Sequence, residues 1–161
     1  MNRMYIIFTF LVFAIVTSNA AVTDKRHFCD YNFQQAEKYK SIIYTEARLN
    51  HVDPILIAAF ILHESEGNPW ARGKNDDRGL MQVIGKNYPG CPDCLFDPAT
   101  NIHVGTKLFK EIYNMKGGNL MVSISAYNTG PYRTDGWINQ IYVDRVSEKY
   151  ELIKNSEKCI F

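Results

Sequence analysis

A surplus of basic charge is missing from this sequence. Its 161 residues carry 18 Lys and Arg against 17 Asp and Glu, a formal charge of +1. No basic field marks a nucleic-acid partner, so none is expected. No acidic tail, low-complexity run or internal repeat appears, which excludes charged interaction tails and solenoids. There is no phosphate-cradling P-loop and no G-x-S-x-G elbow, so Ser65 is not expected to act as a hydrolase nucleophile. His63-Glu64 opens like the helix of a zinc protease, but Gly67 stands where the second histidine is needed. Cysteine is scarce: Cys29, Cys91, Cys94 and Cys159. Only one close pair exists, and a four-cysteine zinc site usually needs two. No metal and no cofactor are expected. Cys91-Pro92-Asp93-Cys94 has the spacing of a redox motif, but no βαβ pattern surrounds it.

Long apolar runs are also rare. One lies at the amino terminus, where Tyr5 to Val16 is nearly all apolar, behind the basic Arg3 and ahead of the small-residue stretch Ser18-Asn19-Ala20. This pattern predicts a cleaved export signal over residues 1–20, with one domain over 21–161. A spanning helix needs about 20 apolar residues, so no stable membrane insertion is expected. Export places the protein in the periplasm or outside the cell. Removing the leader leaves acid and base in balance, and a monomer is expected. The even number of cysteines in an exported chain suggests disulfides, and four allow three pairings. The pairing favoured here joins Cys91 to Cys94 and Cys29 to Cys159.

The most informative stretch runs from Asp53 to Gln82. Asp53 is a good N-cap and Pro54 a good first helical residue. Ile55 to Leu62 is apolar without a break, and a helix apolar on every side is normally buried on every side. Gly67-Asn68-Pro69 stops it. Glu64 therefore sits at the end of a buried rod, on one face with Ile57, Phe60 and Ile61. Desolvation can raise the pKa of a fully buried acid by about 3–5 pH units. The negative end of the helix dipole adds roughly 0.3–1 kcal/mol in the same direction. The expected product is a carboxylic acid still protonated near neutral pH, as a general acid must be. Glu66, two residues on, points to another face. Asp76 and Asp77 are better placed for a second carboxylate, because their loop can fold back over Glu64.

The remaining chain reads as further helices. One is expected from Phe33 to Leu49, capped by Asn32, with Tyr39, Ile42, Ile43 and Ala47 inward. A short helix is expected after Gly79, carrying Leu80, Met81 and Val83. Asp97-Pro98 repeats the cap-then-proline signal and opens a helix to about Met115, with Ile102, Phe109, Ile112 and Tyr113 inward. Gly105 within it costs about 1 kcal/mol relative to alanine, so close packing is expected there. Asn119 starts a helix through Tyr127, whose hydroxyl is expected to reach outward. The last helix is expected from about Gln140 to Lys154, with Ile141, Val146 and Tyr150 inward. No clear strand is visible, so the fold class is all-α, or α with a minimal β element.

Four blocks carry a family resemblance. They are Glu64-Ser65 with Asn68-Pro69, Ala71 and Gly79-Leu80-Met81-Gln82; Phe96-Asp97-Pro98 with Asn101-Ile102 and Gly105; Ala126-Tyr127-Asn128-Thr129-Gly130-Pro131; and Tyr142-Val143 with Arg145-Val146. In this order, from about Ala36 to Tyr150, they resemble the soluble lytic transglycosylase (SLT) catalytic domain of the goose-type lysozyme-like fold. The resemblance implies cleavage of the β-1,4 bond between N-acetylmuramic acid and N-acetylglucosamine in peptidoglycan. Glu64 would act as acid and then as base, giving a 1,6-anhydro product. Tyr127 would line the site near Glu64, with Ser65, Met81, Gln82 and Asn128 shaping it or binding sugar. Two other functions stay open: a hydrolytic goose-type lysozyme using Asp76 or Asp77, and a non-catalytic glycan-binding assembly protein. The chain departs from the family at Gly73, where many members have serine, and at His63, where Gln or Arg is frequent. Its charged loop Lys74 to Arg78 resembles the small transglycosylases of conjugation, pilus and secretion machines, so such an apparatus is an expected partner.

Overall fold

The computed structural model describes residues 35–155. The leader at 1–20 and the Cys29–Cys159 pairing lie outside them. Five α-helices of regular length make up most of the described chain: α1 Lys40–Asn50, α2 Pro54–Ser65, α3 Pro98–Met115, α4 Leu120–Thr129 and α5 Gln140–Lys154. Two short strands, β1 Asp77–Arg78 and β2 Val83–Ile84, pair antiparallel, with Asp77 opposite Ile84 and Arg78 opposite Val83. The fold is thus all-α with a minimal β element.

Local chemistry accounts for the helix starts. The Asp53 carboxylate accepts from the N–H of Ile55 at 2.8 Å, and that of Asp97 from Thr100 at 2.8 Å. The side chain of Asn119 accepts from Val122 at 3.1 Å, and that of Asn139 from Tyr142 at 3.3 Å. Each satisfies a backbone donor that the first turn leaves without a partner.

Helix α2 runs through the centre. Every residue from Leu56 to Leu62 is buried, as its unbroken apolar sequence requires. It packs against α5 and α1, while α3 lies against α1 and α4. Phe60 of α2 meets Phe109 of α3 at 5.1 Å between ring centroids and Tyr127 of α4 at 4.8 Å. These contacts anchor both later helices to the rod that carries Glu64. Gly105 of α3 is where Met81 comes closest. A Cβ there would lie 2.8 Å from Met81 Cβ and 2.7 Å from its sulfur, so only glycine fits without displacement.

Four expectations need correction. The first helix is not continuous over the described residues: Tyr39 leaves helical geometry (φ −105°, ψ 7°), and regular helix begins at Lys40, while the expected start at Asn32 and Phe33 lies outside them. The Tyr39 hydroxyl donates to the carbonyl of Gly67 at 3.3 Å. Leu80, Met81 and Val83 are not in a helix. The left-handed backbone of Gly79 (φ 71°) and Gln82 (φ 48°) turns the chain into the hairpin instead. In α5, Ile141 is 67% exposed, and the inward face is Tyr142, Val143, Val146 and Ile153. Finally, Tyr127 does not reach outward; its hydroxyl donates to the carbonyl of Met81 at 2.9 Å. In both α5 and α4 the neighbouring helices, invisible to sequence periodicity, decide which side faces in.

Candidate active site

The site begins where α2 ends. Glu66 adopts left-handed backbone (φ 52°) and is exposed, and Gly67 follows at φ 75°. This reversal leaves Glu64 as the last carboxyl on the buried helix. The hydroxyl of Ser65 lies 2.8 Å from the Leu80 carbonyl and 3.0 Å from that of Ile61. Ser65 thereby stitches the helix end to the Gly79–Gln82 turn.

That turn is held from below by Asn101, which is fully buried. Its amide nitrogen donates to the carbonyls of Arg78 and Leu95 at 2.8 Å each, and its oxygen accepts from Met81 N–H at 2.7 Å. Gln82 closes the other side by donating to the carbonyls of Gly79 (2.9 Å) and Ala71 (3.2 Å). These bonds satisfy polar backbone in a segment that has no regular ladder.

Around Glu64 lie groups whose ionisation is perturbed by burial. Loss of hydration raises its pKa from 4.5 to about 7, opposed by a hydrogen bond from Tyr142 and assisted by the negative charge of Asp77. The Tyr142 hydroxyl donates to Glu64 Oε1, and burial beside that carboxyl pushes the phenol far above its ordinary range. Tyr127 is likewise raised by burial and then by Glu64. Both tyrosines therefore remain donors at physiological pH. His63 packs edge-on against the Tyr142 ring at 4.9 Å between centroids. Burial lowers its pKa, with help from the charges of Arg145 and Lys149.

The residues expected from sequence fall into three groups. Glu64 bears electrostatically on Tyr127, and Tyr127 reaches the Met81 carbonyl of the turn that Gln82 closes. Ser65 and Met81 support the site from inside: the Ser65 hydroxyl is engaged with backbone, and Met81 is completely buried. Met81 thus shapes the site without a surface for sugar. Asn128 is exposed, and its side-chain oxygen accepts from Asn139 at 2.9 Å. Asp76 turns away to Arg78, at 2.8 Å from Nε, so of the two loop aspartates Asp77 is the one that bears on Glu64. Sequence reasoning missed Tyr142 as a site residue. It stands 78 positions from Glu64, and its only signal was its place in the Tyr142-Val143 block. Asn101 was visible likewise only as part of a block.

A family model described as the transglycosylase SLT domain matches residues 41–149. The chain belongs to this family. The matched span of the SLT domain includes α2, the hairpin, α3 and α4 entire, and most of α1 and α5. It thereby contains Glu64, Asp77, Gln82, Tyr127 and Tyr142 together. Peptidoglycan is the substrate that the SLT domain family implies. Among the described residues no three of His, Cys, Asp and Glu gather as a metal site. Nor is any described helix long and apolar enough to cross a membrane.

Proposed function

We propose that this protein is an exported lytic transglycosylase that cuts the β-1,4 bond between N-acetylmuramic acid and N-acetylglucosamine. The observation that carries this reading is the Glu64 carboxyl, raised to about 7 by burial and paired with the Tyr142 hydroxyl. A carboxyl with that pKa is substantially protonated at neutral pH and also competent as a base once ionised, which suits a residue used twice.

Glu64 gives its proton to the glycosidic oxygen as the bond from that oxygen to C1 of the muramyl ring breaks. The N-acetylglucosamine side leaves with a free hydroxyl, and positive charge develops at C1 and the ring oxygen. The ionised Glu64 then takes the proton from the C6 hydroxyl of the same muramyl ring as that oxygen bonds to C1. The product is the 1,6-anhydro sugar, the enzyme regains its proton, and no water is consumed. Tyr142 holds the carboxyl and, as a donor, stabilises the ionised intermediate. Asn128 and Gln82 are the polar side chains proposed to meet sugar. One carboxyl suffices here, whereas the usual glycosidase schemes need two.

The influence of Asp77 on Glu64 favours one second reading, hydrolysis by a goose-type lysozyme with Asp77 directing water. Mass spectrometry of purified peptidoglycan digested by the protein separates the two. Anhydro-muropeptides are expected; products heavier by one water with a reducing end would establish hydrolysis. Residues 1–20 are proposed as the export signal, and the charged loop Lys74 to Arg78 supports service to a secretion, pilus or conjugation apparatus.

A further inference from the structure

Trp70 takes no part in the site just described. It is 72% exposed, although tryptophan is on average a well-buried residue. Its ring stacks on Phe96 at 5.7 Å between centroids and 29° between planes, and the backbone N–H of Trp70 donates to the Asn68 side-chain oxygen at 3.0 Å. Behind the pair, the guanidiniums of Arg72 and Arg78 lie 5.2 and 5.8 Å from the centre of the Phe96 ring, close enough for cation–π attraction. Arg78 is held by Asp76 and Asp93 at 2.7 Å each, and Arg72 faces the same carboxylates at 4.0 and 3.8 Å. Asp93 and Phe96 both come from the 3-10 turn Pro92–Phe96, which the Cys91–Cys94 disulfide closes. The aromatic pair is therefore a fixed platform.

The platform is set apart from the acid. Arg72 bridges to Arg78 across an antiparallel pair, so the two share one face of the hairpin region. Side chains alternate along a strand, and Asp77, which bears on Glu64, belongs to the opposite face.

We propose that Trp70 and Phe96 form a second glycan-binding surface, separate from the Glu64 site, that takes the apolar face of a neutral N-acetylhexosamine ring in a peptidoglycan strand. This rests on the peptidoglycan reading above. Charge selects the ligand: two guanidiniums are matched by two carboxylates, so no net field recruits a phosphate or an acidic peptide. Size selects it too. From residue 66 to 96, Trp70 is the one large exposed apolar side chain among the described residues. A stable protein interface buries about 800 Å² per partner around an apolar centre, whereas one flat ring in polar surroundings matches one sugar face. The rim carboxylates, with Asp93 81% exposed, supply acceptors for sugar hydroxyls. A second contact would hold the enzyme on an insoluble polymer between cuts by raising the effective concentration of glycan at the Glu64 site.

The test is cosedimentation with purified peptidoglycan sacculi, in a Glu64→Gln background that prevents digestion. Adding Trp70→Ala is expected to weaken binding about tenfold, the loss of one good ring contact, and Trp70→Phe to restore most of it. The thermal midpoint reports that the exposed substitution leaves the fold intact. With Glu64 present, Trp70→Ala should lose about tenfold more turnover on sacculi than on a soluble tetrasaccharide of the glycan. Undiminished cosedimentation overturns the proposal and would make Trp70 a contact for a protein instead. Equal losses on both substrates also overturn it, by placing Trp70 in the Glu64 site. Absence of any turnover by the wild type would instead defeat the glycan-cleaving reading itself.

Discussion

Glu64→Gln keeps the shape of the side chain and removes its titrating proton. The carboxyl titrates at about 7 in the folded protein against a reference of 4.5. Between those values the native state keeps a proton that the unfolded chain has released. Stability therefore falls as pH rises through this window. The whole gap corresponds to about 3 kcal/mol; partial solvent access of the carboxyl reduces this to about 1–3 kcal/mol. Glutamine has no such charge to bury and can still accept from Tyr142. The variant should match the wild type below about pH 4.5, then gain on it to about pH 8, where the difference levels off. Denaturant unfolding of both proteins at pH 4, 5, 6, 7 and 8 measures this directly. In the same variant turnover should fall by about 10²–10⁴, the ordinary worth of a general acid. Wild-type activity should decline on the alkaline side with a pKa near 7. A stability difference that stays flat from pH 4 to 8, or a glutamine variant with full activity, would refute the assignment of Glu64.

Tyr142→Phe removes the hydrogen bond that favours ionised Glu64, so the alkaline limb of the pH–rate profile should move up; Asp77→Asn removes a repelling charge and should move it down. Asn101→Leu strips partners from Met81 N–H and two carbonyls and should cost about 2–4 kcal/mol in denaturant unfolding. Gly105→Ala gains about 1 kcal/mol of helix propensity but forces Met81 aside. Its net cost should be about 1–2 kcal/mol, with lower activity because the Met81 carbonyl that receives Tyr127 moves.

What could be read from the chain alone was local. Asp53-Pro54, Asp97-Pro98 and Asn119 announce helix starts through chemistry confined to one turn. The apolar run Ile55 to Leu62 requires burial whatever surrounds it, and burial at its end perturbs Glu64 without knowledge of any neighbour. Tertiary structure decided everything that depends on a partner distant in sequence. Left-handed Gln82 makes a hairpin of a segment that looked helical, because Asn101 and Ser65 claim its backbone groups from other helices. Ile141 and Tyr142 are adjacent, yet only the packing of α5 on α2 turns the tyrosine in and the isoleucine out. Hydrophobic periodicity marks an inward face only approximately, and the direction of a hydroxyl is set by the acceptor it finds. The buried carboxyl of Glu64 is thus legible in the sequence, but the tyrosine that donates to it is not.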